Sequence, residues 1–132
     1  MRREIKFRVW DDINKKFISL KERCIYYDIQ LQQYGVWNSY GNVTGLIIQQ
    51  YTGLLDKNNR EIYEGDILAT LSSDNKYLSE VVWVNGDGRW GFKSINLIHP
   101  ERSGKTISYN LTYGCSQWRI VGNIYENPEL LN

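Results

Sequence analysis

Hydrophobic and polar residues alternate with a period of two along most of this chain, which predicts a domain built mainly of β-strands. In "IKFRVW" (residues 5–10), Ile5, Phe7 and Val9 alternate with Lys6, Arg8 and Trp10. The polar stretch "DDINKK" separates this run from "FISL", so the first predicted element is a hairpin.

Four later segments predict further strands. "EVVWV" and "RWGF" flank "NGDG", and Asn-Gly or Asp-Gly between apolar runs favours a tight hairpin turn. "LIIQQY" predicts a buried strand, and "WRIVGNIY" predicts a strand with Gly122 at a bulge or a close backbone approach. In the final "ENPELL", Asn127 can cap and Pro128 can begin a short helical turn that docks Leu130 or Leu131.

Two segments are harder to assign. Residues 25 to 32 alternate as a strand, but Cys24, Tyr27 and Leu31 also fit a helical stripe; the aromatic and β-branched residues favour the strand. The glycines and polar residues between Gly35 and Gly45 predict a loop.

The segment "IYEGDIL" (residues 62–68) places Gly65 between two carboxylates, Glu64 and Asp66. The pair could serve a hydrolase or a metal ion, but no nucleophile, base or further ligand stands nearby in the sequence. We favour a structural turn in which Gly65 permits a sharp bend and Asp66 accepts hydrogen bonds from freed backbone amides. A second polar turn, containing Asp56 and Asn59, precedes it.

Length and composition indicate one globular domain spanning residues 1–132. The chain has 132 residues, 42% hydrophobic and 23% charged, which is enough for a single core. Cys24 and Cys115 are far apart and no apolar leader is present, so we expect unpaired thiols in or near the core and a location in a reducing cytoplasm.

The net charge of +1 does not favour non-specific binding to nucleic acid, but basic residues are concentrated near the start of the chain. Residues 1 to 23 contain eight basic and four acidic residues. A solvated edge hairpin is the simpler interpretation. The candidate contact surface is Arg8, Trp10, Lys15 and Lys16, where aromatic stacking could add to charge.

Other chemical motifs carry little weight. "GDGRWG" (residues 86–91) matches a dinucleotide-binding pattern, but "RWGFKSI" alternates as a returning strand rather than opening a helix. His99 is the only histidine. We therefore expect no catalytic residues, no metal site and no cofactor.

"KFRVWD" (6–11), "QYTGLLDKNNREIYEGDIL" (50–68) and "VGNIYENPELL" (121–131), in this order, resemble the YopX family of small phage and prophage proteins. The resemblance spans the chain and implies an SH3-like small β-barrel or roll with added hairpins. It implies no known activity. Asn59 stands where the family's turn has glycine, and asparagine also tolerates a positive φ.

Two classes of function follow. The first is a non-enzymatic phage or prophage accessory protein that binds a host or phage protein, or itself. No membrane is expected among its partners. The alternative is a weak nucleic-acid-binding module that uses the basic hairpin and aromatic side chains. Exposure of the five tryptophans would distinguish them, and we expect these rings to be mostly buried; they are Trp10, Trp37, Trp83, Trp90 and Trp118.

Overall fold

A computed structural model describes residues 4–21, 24–38, 41–43, 45–69, 77–96, 106–107 and 117–131. Within these ranges the regular structure is β-strand plus one short 3₁₀ turn. The elements are β1 (Phe7–Asp11), β2 (Lys16–Ile18), β3 (Cys24–Asp28), β4 (Gln33–Asn38), β5 (Gly41–Val43), β6 (Leu46–Leu55), β7 (Glu61–Tyr63), β8 (Asp66–Ala69), β9 (Tyr77–Val84), β10 (Arg89–Asn96), β11 (Thr106–Ile107), β12 (Arg119–Asn123) and the turn Pro128–Leu131.

The strands form three antiparallel sheets. One has the order β2-β1-β6-β7, the second β11-β10-β9-β8-β12, and the third β3-β4-β5. The predicted fold is confirmed: the chain is nearly all β, with a curled half-barrel sheet, added hairpins and a short C-terminal turn. Both predicted hairpins are present, and "RWGF" belongs to strand β10 rather than to a helix.

The loop prediction for residues 35 to 45 is wrong, because strands β4 and β5 occupy much of this segment. Gly35 lies opposite Tyr26 in the β3–β4 pair. A Cβ built on Gly35 would lie 2.6 Å from the Tyr26 ring, so the aromatic ring covers the strand where glycine leaves room. Residues 25 to 32 are a strand only as far as Asp28, and a turn follows.

The core lies on both faces of the five-stranded sheet. One face buries Ile62, Leu68, Val81 and Phe92, and the other buries Ile67, Ala69, Leu78 and Ile95. Because successive strand residues point to opposite faces, a sheet covered on both sides contains continuous buried runs. This explains why all four residues of β8 are buried.

The C-terminal segment follows the prediction in two respects and departs from it in a third. The β8–β12 register shifts between Ile120 and Gly122, which confirms the bulge, and Leu130 packs against the second core cluster. Asn127, however, does not cap the turn with its side chain. Its Oδ1 instead accepts a hydrogen bond from the Asn123 backbone N–H at 3.2 Å.

Cys24 is a free thiol but exposed, which corrects its expected place in or near the core. Cys115 and His99 lie outside the described residues. None of the described helical structure is long and apolar enough to span a membrane.

Candidate functional site

The turn at Glu64 and Gly65 joins both large sheets. The Glu64 N–H donates to the Gln50 carbonyl on β6, and the Gly65 N–H donates to the Val81 carbonyl on β9, both at 2.9 Å. The Gly65 carbonyl accepts from the Ile124 N–H at 3.0 Å. The positive φ expected at Gly65 is present at 83°, and Asn59 likewise adopts φ of 62°.

Arg8 lies at the centre of this junction. Its guanidinium donates to Asp66 Oδ1 at 2.6 Å and to Gln49 Oε1 at 2.8 Å. The same group lies over the Phe17 and Tyr63 rings, 4.5 Å and 4.7 Å from their centroids. Arg8 therefore connects β1 to β6 and β8, and its charge is used inside the fold.

Asp66 is almost fully buried at 1% exposure. Burial raises the pKa of this carboxyl, while the Arg8 charge and the hydrogen bond from the Tyr63 N–H act in the opposite direction. The Tyr63 amide is the freed backbone donor that the sequence indicated for Asp66. This arrangement holds two sheets together, and all the contacts of Asp66 described here are internal.

Of the four residues predicted to form the candidate contact surface, the structure places two inside the fold and two on the surface. Trp10 is only 1% exposed, so its ring cannot contact a partner as predicted. The ring packs edge-on against Phe17 and stacks with Tyr125. Arg8 is turned inward as described above. Lys15 and Lys16 are exposed, and Lys15 pairs with Asp12 at 2.7 Å.

The remaining tryptophans are not uniformly buried. Trp83 is 42% exposed and lies edge-on to half-buried Trp90 on the neighbouring strand, with ring centroids 5.1 Å apart. Trp118 is half-buried and packs on Phe92. The side chain of Trp37 lies outside the described residues. The expectation of mostly buried rings therefore fails for Trp83.

A groove of about 310 Å³ lies beside the Gly65 junction. Segments of β6 and β9, the Glu64–Gly65 turn and residues 124–125 line it. Two carboxylates, Glu64 and Glu80, are in the lining together with the Tyr125 phenol. We call this feature the acidic groove.

The acidic groove perturbs its own titratable groups. Burial raises the pKa of Glu80; the Lys93 charge opposes this shift, and the Glu64 charge adds to it. Burial also raises the pKa of Tyr125, to which the charges of Glu64 and Glu80 add. Groups perturbed by desolvation and like charge in a cleft are typical of binding sites, although structural networks produce them too.

The β3–β4 hairpin carries a second exposed feature. Tyr27 and Tyr34 are cross-strand partners with ring centroids 5.0 Å apart, and they are 50% and 64% exposed. At the turn, Ile29 and Leu31 are 81% and 65% exposed. We call these four residues the apolar arm. The alternation of residues 25 to 32 indicated a strand there, but it could not show that Tyr27, Ile29 and Leu31 would be exposed to solvent.

The base of the same hairpin is buried. Val36, two residues from Tyr34 and thus on the same strand face, is only 1% exposed. The face that is buried at Val36 therefore continues to Tyr27 and Tyr34, where it meets solvent.

Within the described residues, no group of three or more His, Cys, Asp or Glu side chains is arranged to hold a metal ion.

Comparison with known proteins bears on the whole chain. A family model described as YopX protein matches residues 6–132. The fold is similar to the crystal structure of protein EF1440 from Enterococcus faecalis, with a TM-score of 0.67, 23% identity, and coverage of 99% of this chain and 100% of that one. It is also similar to protein yopX from Bacillus subtilis, with a TM-score of 0.50, 15% identity, and coverage of 96% and 95%. A search of curated proteins found no match.

Proposed function

The chain belongs to the YopX protein family, and from that premise we propose that it is a non-enzymatic accessory protein that acts by binding another protein. Its sequence resembles phage and prophage proteins, so we propose that it acts in the cytoplasm of a bacterial host. The apolar arm is the contact surface in this proposal.

The observation that supports the proposal is the concentration of exposed apolar surface on one hairpin. Tyr27, Ile29, Leu31 and Tyr34 are each at least half exposed, and Tyr27 and Tyr34 continue a face that is buried at Val36. A contiguous apolar patch costs solubility, and on folded proteins such patches mark interaction sites more often than single exposed residues do. Tyrosine is also among the residues enriched at interfaces.

Two carboxylates near the Gly65 turn, Asp66 and Glu61, support a structural role rather than catalysis. Asp66 is held by Arg8 and the Tyr63 amide. Glu61 is engaged by Lys6 and by the Tyr63 hydroxyl. A general acid or base must reach a substrate proton, and these two groups are occupied by the fold itself.

The test compares a variant with charge added to the apolar arm, called the arm variant, with a control variant that has charge added elsewhere on the surface. Ile29→Asp combined with Leu31→Asp places two carboxylates on the apolar arm. Ile13→Asp places one on another exposed isoleucine, 70% exposed in the β1–β2 turn. Thermal melts should show both proteins folded within about 0.5 kcal/mol of the parent, because these positions are on the surface.

Immobilised parent, arm variant and control are then incubated with bacterial lysate. We expect a protein retained by the parent and by Ile13→Asp but lost from the arm variant. That protein is produced and titrated calorimetrically against all three, and sedimentation of each chain alone tests self-association. If neither heterologous nor self-binding depends on the arm, the proposal is wrong.

A further inference from the structure

Six strands lie at the edges of the three sheets that the structure describes, and five of them are protected against pairing with another chain. β2, β5, β7 and β11 are only two or three residues long. β12 has five residues, but it contains a bulge. Short edge strands and bulges are two of the means by which natural proteins block edge-to-edge association.

The outer edge of β12 is also covered by the turn between β6 and β7. The Asp56 carboxylate accepts a hydrogen bond from the Ile120 N–H, and the Lys57 N–H donates to the Trp118 carbonyl. Backbone groups that would otherwise face a neighbouring strand are therefore used within the fold.

β3 is the unprotected edge strand. It is five residues long and pairs with β4 in a regular register without a bulge. Within the described residues no strand pairs with its other edge. The strand contains neither lysine nor proline, and both Cys24 and Tyr27 are exposed. An edge strand of this kind is open to the addition of a strand from another chain.

The sequence of β3 is suited to pairing with a second copy of itself. Two-fold symmetry makes two identical edge strands antiparallel, and full overlap of the five residues places the axis at Tyr26. Tyr26 then lies opposite Tyr26 of the second copy, and Ile25 lies opposite Tyr27. Aromatic pairs and pairs of an aromatic with a β-branched residue stabilise antiparallel sheets.

The charge of this hairpin is compatible with the same register. Asp28 is the only charged residue in the sequence from 24 to 38. It would lie opposite Cys24 of the second copy, so the two aspartates would not face each other. Like charges directly opposite would destabilise the ladder, and this register avoids them.

We propose that the protein forms a two-fold symmetric dimer in which β3 pairs antiparallel with β3 of a second copy, centred on Tyr26. The two three-stranded sheets then form one six-stranded sheet across the dimer. This inference rests on the proposed function and deepens it, because Tyr27 of the apolar arm belongs to β3 and the partner is a second copy of the chain.

The first test compares the parent at low and high concentration. Five residue pairs form a small interface, so we expect a Kd on the order of 10 μM. Sedimentation velocity should show a monomer at about 1 μM and a dimer at about 500 μM. The β3 amides that face away from β4 should exchange with deuterium at least about tenfold more slowly in the dimer. Amides of β2, another edge strand, should not change.

Two matched variants test whether the edge is the interface. Tyr27→Lys adds a charge to the edge strand, and Tyr34→Lys adds the same charge to the adjacent inner strand. Both remove the contact between these two rings, whose centroids are 5.0 Å apart. Tyr27→Lys should raise the Kd about tenfold, because lysine on an edge opposes strand addition, whereas Tyr34→Lys should change it by no more than about twofold.

Substitutions of exposed Cys24 test the register. Cys24→Lys would lie opposite Asp28 of the second copy and form an attractive pair, whereas Cys24→Glu would face the same carboxylate with a like charge. Because the symmetric ladder contains this pair twice, Cys24→Lys should dimerise about tenfold more tightly than Cys24→Glu at low salt. Thermal melts at about 1 μM establish that each variant is folded.

The results overturn the inference in distinct ways. A parent that stays monomeric at about 500 μM, or a dimer in which β3 exchange is unchanged, would overturn it without any variant. Equal effects of Tyr27→Lys and Tyr34→Lys, or equal affinities of the two Cys24 variants, would also overturn the proposed ladder. A monomeric parent would leave the proposed function standing if a lysate protein is still lost from the arm variant, so the two failures are distinguishable.

Discussion

At Gly65 the backbone has φ of 83°, and a side chain there would also overlap the amide of Gln49. Gly53 has nearly the same conformation, φ of 85°, but a Cβ at that position would meet no atom within 4 Å. A substitution at either glycine would therefore meet the same backbone strain, but only the one at Gly65 would also meet a steric overlap. They allow the two costs of a substitution to be measured separately.

We expect Gly53→Ala to cost about 1 kcal/mol, from the left-handed backbone alone. Gly65→Ala should cost about 1 to 3 kcal/mol more, because Gln49 must move and its bond to Arg8 is disturbed. Chemical denaturation of both variants gives the comparison, with Glu64→Gln as a third variant that should change stability by no more than about 0.5 kcal/mol. Equal costs at the two glycines would show that the Gln49 contact has no importance.

Asp56 stabilises more of the fold than the turn in which it lies. It is buried; its Oδ1 accepts from the N–H groups of Asn58 and Arg60, and its Oδ2 accepts from Ile120 on β12. Burial by itself would raise the pKa of Asp56, but these backbone hydrogen bonds together lower it below 3.8. The carboxylate thus connects the turn to a strand 64 residues away.

The sign of the pH dependence follows from that shift. A folded-state pKa below the unfolded one contributes stability that is present above pH 3.8 and is lost as pH falls through the folded value. Asparagine has the same shape but cannot titrate and loses an acceptor. Asp56→Asn should therefore cost about 2 kcal/mol at neutral pH.

The deficit of Asp56→Asn should shrink as the pH falls below 3.8, because the unfolded parent takes up a proton there and the folded carboxylate does so only at a lower pH. Urea midpoints measured for both proteins at neutral and acidic pH test this. A deficit that stays constant with pH would show that the charge of Asp56 does not contribute.

Among the elements, those that depend on local chemistry could be predicted from the sequence. The β9–β10 hairpin follows from "NGDG" between apolar runs, and β8 follows from a turn before an apolar segment. Strands β4 and β5 could not be predicted, because Gly35 reads locally as a loop residue and only the ring of Tyr26 makes it suitable for a strand.

The site was less predictable than the fold for a related reason. Alternation in β1 shows which side chains share a face but not what covers that face. Arg8 therefore looked like a surface residue, although Asp66, 58 positions later, turns it inward. Glu80 and Tyr125 are far apart in the sequence and become neighbours only through the packing of β9 against the C-terminal segment.

The bulge in β12 provides a test at the level of elements. A Cβ on Gly122 would overlap the side chain of Asn127, which fixes the segment leading to the 3₁₀ turn. Gly122→Ala should cost about 1 to 3 kcal/mol, because Asn127 must move and release the Asn123 amide.

A double-mutant cycle identifies the cause of that cost. In an Asn127→Ala background the obstructing side chain is absent, so Gly122→Ala should cost clearly less than in the parent. Thermal or urea unfolding of the four proteins gives the coupling. Additive costs would indicate that the bulge requires glycine for another reason.

For the molecule as a whole, the distribution of charge bears on the nucleic-acid alternative. The chain has a net charge of +1, and the excess of positive charge lies in residues 1 to 23. Within the described part of that segment, Arg8 is bound to Asp66, Lys6 contacts Glu4 and Glu61, and Lys15 pairs with Asp12. Few cations remain there to contact phosphates.

We therefore expect at most weak, sequence-independent binding to single-stranded DNA or RNA. Each phosphate contact contributes a slope of about −0.7 to log K against log salt, so the few contacts available should be lost at about 150 mM salt. Stacking would add about 1 to 3 kcal/mol per base, but Trp10 is buried and cannot stack beside Lys15 and Lys16. Fluorescence anisotropy with short oligonucleotides at low and physiological salt measures this, with Lys15→Glu/Lys16→Glu as the matched variant. Micromolar or tighter binding at about 150 mM salt that disappears in this variant would place nucleic acid ahead of protein as the partner, because screening at that ionic strength removes long-range attraction and leaves only a built site.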